Sequence, residues 1–247
     1  ISEFNMPFHN IHEYEGLSVM TAYALYQDWD GLFPFAYAGY LNEGEVGKMI
    51  TLDSSLDLVH NPMKMSQIAT FAQMFIRGDI KPAEKVVTAR YGIGELYEML
   101  NTRTKWGYNA GWTWSFDLKD AFPISALYEY RFEKEFWDGP TSYSKDLFPE
   151  GEYEKLFDRD VHVGTNNELI WYANDKNYIS IDTKLSQGVI GFIKDLSIKT
   201  TDIEMSFDHM GSVIVTSQTK DPIISADKIM INFAFSQENM GQVKNSK

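Results

Sequence analysis

The N-terminal part of the chain alternates short apolar runs with segments of helical periodicity. Residues 1–5 resemble the end of a short strand, and a loop rich in Pro, His, Asn and Gly occupies residues 6–16. The segment from Leu17 to Tyr26 predicts a mostly buried helix. Leu32 to Tyr37, bounded by glycines, predicts a strand that is buried on both faces.

A second helix is predicted over Ser66 to Ile76, where apolar residues recur at helical spacing. Asn61-Pro62 marks its start and Gly78 marks its end. The resulting order of strand, helix, strand and helix is typical of a parallel sheet or barrel.

The C-terminal part of the chain changes to short segments in which apolar and polar residues alternate, separated by polar turns. Alternation with a period of two indicates strands, and this spacing of short strands favours an antiparallel β-sandwich. The predicted strands are residues 168–172, 178–182, 188–193, 203–207, 212–217 and 228–235.

These patterns predict an α/β part followed by an all-β part. Residues 1–105 are assigned to the α/β domain and residues 151–247 to the β-sandwich. Residues 106–150 are predicted to be an irregular connection rich in aromatic side chains. Those aromatics either pack the two domains together or line an extended cleft.

Composition narrows the classes of function. The net charge is −13, which argues against nucleic acid and against an anionic membrane surface as partners. The chain has no cysteine, which excludes disulfides, thiolate metal sites and cysteine nucleophiles. Aromatic residues make up 15% of the chain, which fits either a well-filled core or a cleft for sugar rings.

Candidate chemistry lies at the ends of the two predicted parallel strands. Glu3 and Asn5 come at the end of the first strand and Tyr37 at the end of the second, so all three are expected at the carboxyl face of the sheet. A carboxylate beside aromatic rings and an amide suits glycoside hydrolysis, in which one carboxylate attacks the anomeric carbon while a second acid protonates the leaving oxygen.

Several segments resemble the C-terminal part of clan A glycoside hydrolases, which have a (β/α)8 TIM barrel. Residues 2–10 and 22–37 resemble the seventh and eighth barrel strands, and residues 75–83 resemble the segment after the last barrel helix in one bacterial group of that clan. Shorter resemblances to the C-terminal β-domain of that group occur at residues 167–171, 181–183, 215–217, 224–226 and 239–241.

The resemblance implies a retaining enzyme that cleaves β-linked polysaccharides or oligosaccharides. Glu3 matches the nucleophile at the end of the seventh strand. Phe35 or Tyr37 matches the aromatic platform of the eighth strand, and Asn5 and His9 are candidate substrate contacts. Such an enzyme needs no cofactor.

The acid/base glutamate of the clan belongs to the fourth barrel strand, which this sequence does not contain. We therefore expect a partner in the form of an upstream barrel segment, supplied by the same protein or by another chain. The other expected partner is the carbohydrate substrate, and the expected location is secreted, periplasmic or on a bacterial cell surface.

Other interpretations remain open at this point. The chain could be a carbohydrate-binding protein without catalysis, or its β-domain could be purely structural. A zinc site around His9, His12 and Glu13 is disfavoured, because the two histidines lack the i, i+4 spacing of the helical zinc motif. Asn5 could also simply cap the loop after it.

Overall fold

A computed structural model describes residues 3–7, 10–38, 56–59, 61–103, 123, 125–173 and 176–235. These residues form a mixed structure of helices and sheets. The helices are α1 (Glu15–Tyr26), α2 (Pro62–Arg77), α3 (Ile93–Arg103), α4 (Ala126–Glu129) and α5 (Glu152–Lys155). The strands are β1 (Val86–Gly92), β2 (Arg131–Trp137), β3 (Val161–Val163), β4 (Leu169–Tyr172), β5 (Tyr178–Asp182), β6 (Ser186–Gly191), β7 (Ser197–Lys199), β8 (Glu204–Ser206), β9 (Gly211–Ser217) and β10 (Ile229–Ala234).

The two long N-terminal helices confirm the prediction from periodicity. Helix α2 begins where expected: the side chain of Asn61 accepts a hydrogen bond from the Lys64 amide at 3.1 Å, and Pro62 occupies the first turn. It ends at Gly78, whose φ of 64° lies in the left-handed region that favours glycine.

The centre of the fold is a six-stranded antiparallel sheet with the strand order β10-β9-β6-β5-β4-β3. Strands β6 and β9 approach so closely that a Cβ atom on Gly188 would lie 2.1 Å from the carbonyl oxygen of Val213. Glycine is therefore required at this position for β6 to pair with β9.

One face of this sheet packs against α1 and α2. Apolar side chains of both helices meet isoleucines and a leucine of the sheet in one core cluster, formed by Leu17, Ala22, Leu25, Tyr26, Phe71, Met74, Ile80, Ala83, Leu169, Ile179, Ile181, Ile190 and Ile214. The opposite face packs partly against the β7–β8 hairpin through a second cluster formed by Tyr178, Val189, Ile193, Ile198 and Val213. The sheet is thus covered on both faces, by helices on one and by a short hairpin on the other.

The expected irregular connection over residues 106–150 is wrong for its described part. Strand β2 lies within it and pairs in parallel with β1, from Val86 opposite Arg131 to Gly92 opposite Trp137. Because β1 precedes residue 105, this pairing crosses the predicted domain boundary. The division into residues 1–105, 106–150 and 151–247 stays a prediction.

Candidate functional site

The two predicted N-terminal strands meet in a single parallel bridge between Phe4 and Pro34. The amide of Phe4 donates to the carbonyl of Phe33 at 3.3 Å, and the amide of Phe35 donates to the carbonyl of Phe4 at 2.8 Å. Helix α1 connects the two segments along the chain. The two predicted strands are therefore replaced, in the described residues, by one parallel bridge on either side of α1.

Glu3 precedes the bridged residue Phe4 and is exposed. The side chain of Phe4, by contrast, packs against the core formed by α1, α2 and the large sheet.

Three aromatic side chains of the second segment are also exposed. Phe33, Phe35 and Tyr37 retain 63%, 46% and 60% of their accessible surface. The expected burial of residues 32–37 on both faces is therefore wrong. The three rings belong to the segment that is bridged to that of Glu3, and we call this set of exposed side chains the aromatic stripe.

Asn5 joins the two segments rather than standing free. Its amide nitrogen donates to the main-chain carbonyls of Phe35 and Leu56, and its side-chain oxygen accepts from Nζ of Lys64 at 3.0 Å. Both amide hydrogens are thus occupied within the protein. This bonding indicates that Asn5 holds the aromatic stripe beside the strand of Glu3, and its contact with substrate stays a prediction.

Lys64 belongs to a charged cluster beneath Asn5. Its ammonium lies 3.8 Å from a carboxylate oxygen of Glu13, and the two side chains are only 2% and 4% exposed. Asn61 donates to the same Glu13 oxygen at 2.9 Å. Burial lowers the pKa of Lys64, and the nearby carboxylates of Glu13 and Asp57 oppose that shift.

Sequence reasoning missed this cluster. Lys64 falls in the first turn of α2, where a lysine is usually solvated, and Glu13 stands in a polar loop. Only the Asn61-Pro62 start of the helix could have indicated the cluster from the sequence. It fixes Lys64 in the first turn of α2, which lies next to Asn5.

His9, the remaining predicted substrate contact, lies outside the described residues. His12 is described: its ring lies 3.1 Å from the hydroxyl of Tyr14 and 5.1 Å, between ring centroids, from Phe192. Within the described ranges, no group of three or more His, Asp or Glu side chains is arranged to hold a metal ion.

An apolar cavity of about 400 Å³ lies behind the aromatic stripe. Its walls come from both long helices and from the stripe segment, including Leu17, Leu32, Pro34, Tyr37, Phe71 and Ile76. Ile76 in this wall is 83% exposed. A large apolar side chain that is exposed at the rim of an apolar cavity marks a surface that another polypeptide segment can cover.

Comparison with known proteins adds no relative to this chain. No protein-family model, no curated protein and no solved structure matches it. None of the helices in the described ranges combines the length and apolar character needed to cross a lipid bilayer.

Proposed function

We propose that this chain is part of a retaining glycoside hydrolase that acts on β-linked polysaccharides or oligosaccharides, with Glu3 as the nucleophile. The observation that supports the proposal is the Phe4–Pro34 bridge, which joins the segment of the exposed Glu3 to the segment of the exposed Phe33, Phe35 and Tyr37. A carboxylate next to aromatic rings can act on a sugar whose apolar face rests on those rings.

The reaction proceeds in two steps. A carboxylate oxygen of Glu3 attacks the anomeric carbon and forms a glycosyl ester, while the bond to the leaving oxygen breaks and a second carboxylic acid protonates that oxygen. The second residue, now a carboxylate, then takes a proton from water. The resulting nucleophile attacks the anomeric carbon and releases both the sugar and Glu3.

The acid/base group in this proposal is a glutamate outside this chain. Retaining enzymes need the two carboxyl groups at about 5–5.5 Å from each other. A further barrel segment would carry that glutamate and would cover the part of the apolar cavity lined by Leu32, Pro34 and Ile76. The proposal therefore includes a (β/α)8 barrel completed from elsewhere, a C-terminal β-sandwich built on the six-stranded sheet, and a location outside the cytoplasm.

Phe35 and Tyr37 are the proposed sugar platform, and Asn5 is proposed to keep it in place. The hydrogen bonds of Asn5 to the Phe35 and Leu56 carbonyls support this role. His9 is kept as a substrate contact in the loop after Glu3.

Substitution of Glu3 in the full-length enzyme tests the proposal. Glu3→Gln keeps the size of the side chain but removes the nucleophile, so turnover should fall by at least about a thousandfold while the melting temperature stays unchanged. Glu84→Gln, an exposed glutamate remote in sequence, is the matched control. Near-normal turnover by Glu3→Gln would disprove the assignment.

A carbohydrate-binding protein without catalysis is the second candidate, because the aromatic stripe by itself could hold a glycan. A 2-deoxy-2-fluoro glycoside of the hydrolysed sugar separates the two candidates. The enzyme should form a covalent adduct on Glu3 that mass spectrometry detects. Glycan binding without any adduct and without turnover would favour the second candidate.

A further inference from the structure

A second cavity, of about 530 Å³, lies in the described structure away from Glu3. It is formed by the loop between α5 and β3 together with the strands β3 and β4. Its apolar wall includes Leu156 and Trp171, and its polar wall includes Asp158, Asp160 and His162. A cavity of this size with a mixed lining has the character of a small-ligand site.

The most informative group in the cavity is the imidazole of His162. Its side chain is only 2% exposed, and its Nδ1 lies 2.8 Å from a carboxylate oxygen of Glu129. Because the carboxylate accepts from Nδ1, the tautomer with its proton on Nδ1 presents Nε2 as a hydrogen-bond acceptor. No residue in the described ranges bonds to Nε2, so this nitrogen is available to a ligand in the cavity.

The surrounding hydrogen bonds hold this imidazole in place. The second carboxylate oxygen of Glu129 accepts from Arg159, and the same guanidinium donates to Glu152 at 2.9 Å. Two carboxylates therefore compensate the charge of Arg159, the buried Glu129 and the partly exposed Glu152. The guanidinium of Arg159 therefore forms its hydrogen bonds with these two carboxylates and not with a ligand.

The remaining charge in the cavity selects against anions. Asp158 and Asp160 are exposed carboxylates in its lining, and no cation without a partner offsets them among the described lining residues. Nε2 of His162 and the two carboxylates are all acceptors, which suits a ligand that donates several hydroxyl hydrogens. A neutral polyhydroxylated molecule meets these conditions.

The apolar wall complements such a molecule. Trp171 is partly exposed, and Tyr128 stacks on its ring with the ring centroids 4.0 Å from each other. The imidazole of His162 is nearly parallel to the indole, with the ring centroids 5.2 Å from each other. Aromatic surface next to hydrogen-bond acceptors is the combination that binds the apolar face and the hydroxyl edge of a sugar ring.

We propose that this cavity binds one unit of a neutral β-linked glycan at a site separate from Glu3. His162 and Asp160 accept hydrogen bonds from the sugar hydroxyls, and Trp171 contacts the ring. The choice of a sugar as ligand rests on the proposed function, whereas the exclusion of anions follows from the charges in the cavity.

The indole N–H signals in a two-dimensional NMR spectrum provide the test. The probes are cellohexaose, laminarihexaose, xylohexaose and mannohexaose, titrated into the full-length Glu3→Gln protein so that no probe is hydrolysed. At least one probe should shift the indole signal of Trp171 in a saturable way, and Trp171→Phe identifies that signal by its loss.

Variants then locate the binding site. Asp160→Ala and Asp158→Ala, both read at the Trp171 signal, should each weaken binding about five- to tenfold, the effect of losing one hydrogen bond. Asp227→Ala and Trp137→Phe, which lie outside the cavity lining, should bind as the parent protein does.

Three results would overturn the proposal. One is the absence of any saturable shift at about 10 mM of every probe, a concentration that detects even weak binding. Another is unchanged affinity in both cavity variants. The third is a shift caused by the diamine putrescine but by no oligosaccharide, which would assign the cavity to a cation. Because binding is measured at Trp171, a failure of Glu3 as nucleophile would appear separately, as turnover by Glu3→Gln.

Discussion

Buried charged and amide side chains, which no sequence motif marks, form the hydrogen bonds and ion pair next to the candidate site. Asn5 bonds to two main-chain carbonyls and to Lys64, and Lys64 lies against Glu13 in a buried environment. Glu3, by contrast, is exposed. At the scale of single residues, the sequence identified the exposed candidates, but it could not identify the buried groups that position them.

Replacing Lys64 by methionine tests the cost of breaking this cluster. Lys64→Met leaves the buried Glu13 carboxylate without its cation, so the free energy of unfolding should fall by about 3–5 kcal/mol. Urea denaturation followed by circular dichroism measures the change.

The double variant Lys64→Met/Glu13→Gln serves as the internal control. It removes both charges, so it should recover a large part of the lost stability. Lys228→Met, at an exposed position, should change stability by less than about 0.5 kcal/mol. Equal losses from Lys64→Met and Lys228→Met would contradict the buried ion pair.

At the scale of elements, α1 and α2 were predicted, whereas α3, α4 and α5 and the strands β1, β2, β3 and β7 were missed. The start of α2 at Asn61-Pro62 and its end at Gly78 are encoded in neighbouring residues, because helix caps depend on local hydrogen bonds and on φ. The parallel pair β1 and β2 was missed because most of the side chains of β2 are exposed and many are charged. The sequence therefore lacks the continuous apolar run that marks a parallel strand buried on both faces.

Two glycines provide a matched test of the helix ends. Gly78 and Gly94 both have open space where a Cβ atom would lie, but only Gly78 has a positive φ, of 64°. Gly78→Ala should lower the free energy of unfolding by about 1–2 kcal/mol, because alanine is strained in the left-handed region.

Gly94→Ala should act in the opposite direction. This glycine lies in α3, where alanine is the better helix former by about 1 kcal/mol. Thermal and urea unfolding of both variants would measure the two signs. If both variants lost stability, or if neither did, the positive φ of residue 78 would not be the reason that glycine occupies the end of α2.

The helical layer and the large sheet are joined by a polar network at the scale of the whole molecule. Arg77 at the end of α2 donates from Nε to Asp79 at 2.9 Å, and the hydroxyl of Ser186 on β6 donates to the same carboxyl group at 2.6 Å. Arg77 also donates to the hydroxyl of Thr216 on β9 at 2.7 Å. This network lies at the edge of the apolar core shared by both layers.

Asp79→Ala tests whether the two layers unfold together. Removing a carboxylate whose side chain is fully buried leaves Arg77 and Ser186 without their shared partner, so stability should fall by about 3 kcal/mol. The transitions followed by far-ultraviolet circular dichroism and by tryptophan fluorescence should shift by the same amount and coincide.

Asp227→Ala, an exposed aspartate before β10, is the control and should leave both transitions in place. Separate transitions in Asp79→Ala, with only one of them shifted, would mean that the helices and the sheet are independent units.

The sequence by itself determined local features of this protein: helices α1 and α2, the caps of α2, and most strands of the antiparallel sheet. These depend on periodicity, turn residues and φ, which neighbouring residues specify. Tertiary structure alone decided that α1 and α2 cover one face of the sheet, that β1 pairs with β2, and that Lys64 and His162 are buried beside carboxylates. Such contacts join residues far from each other in the chain, and their energies depend on burial, which no local pattern records.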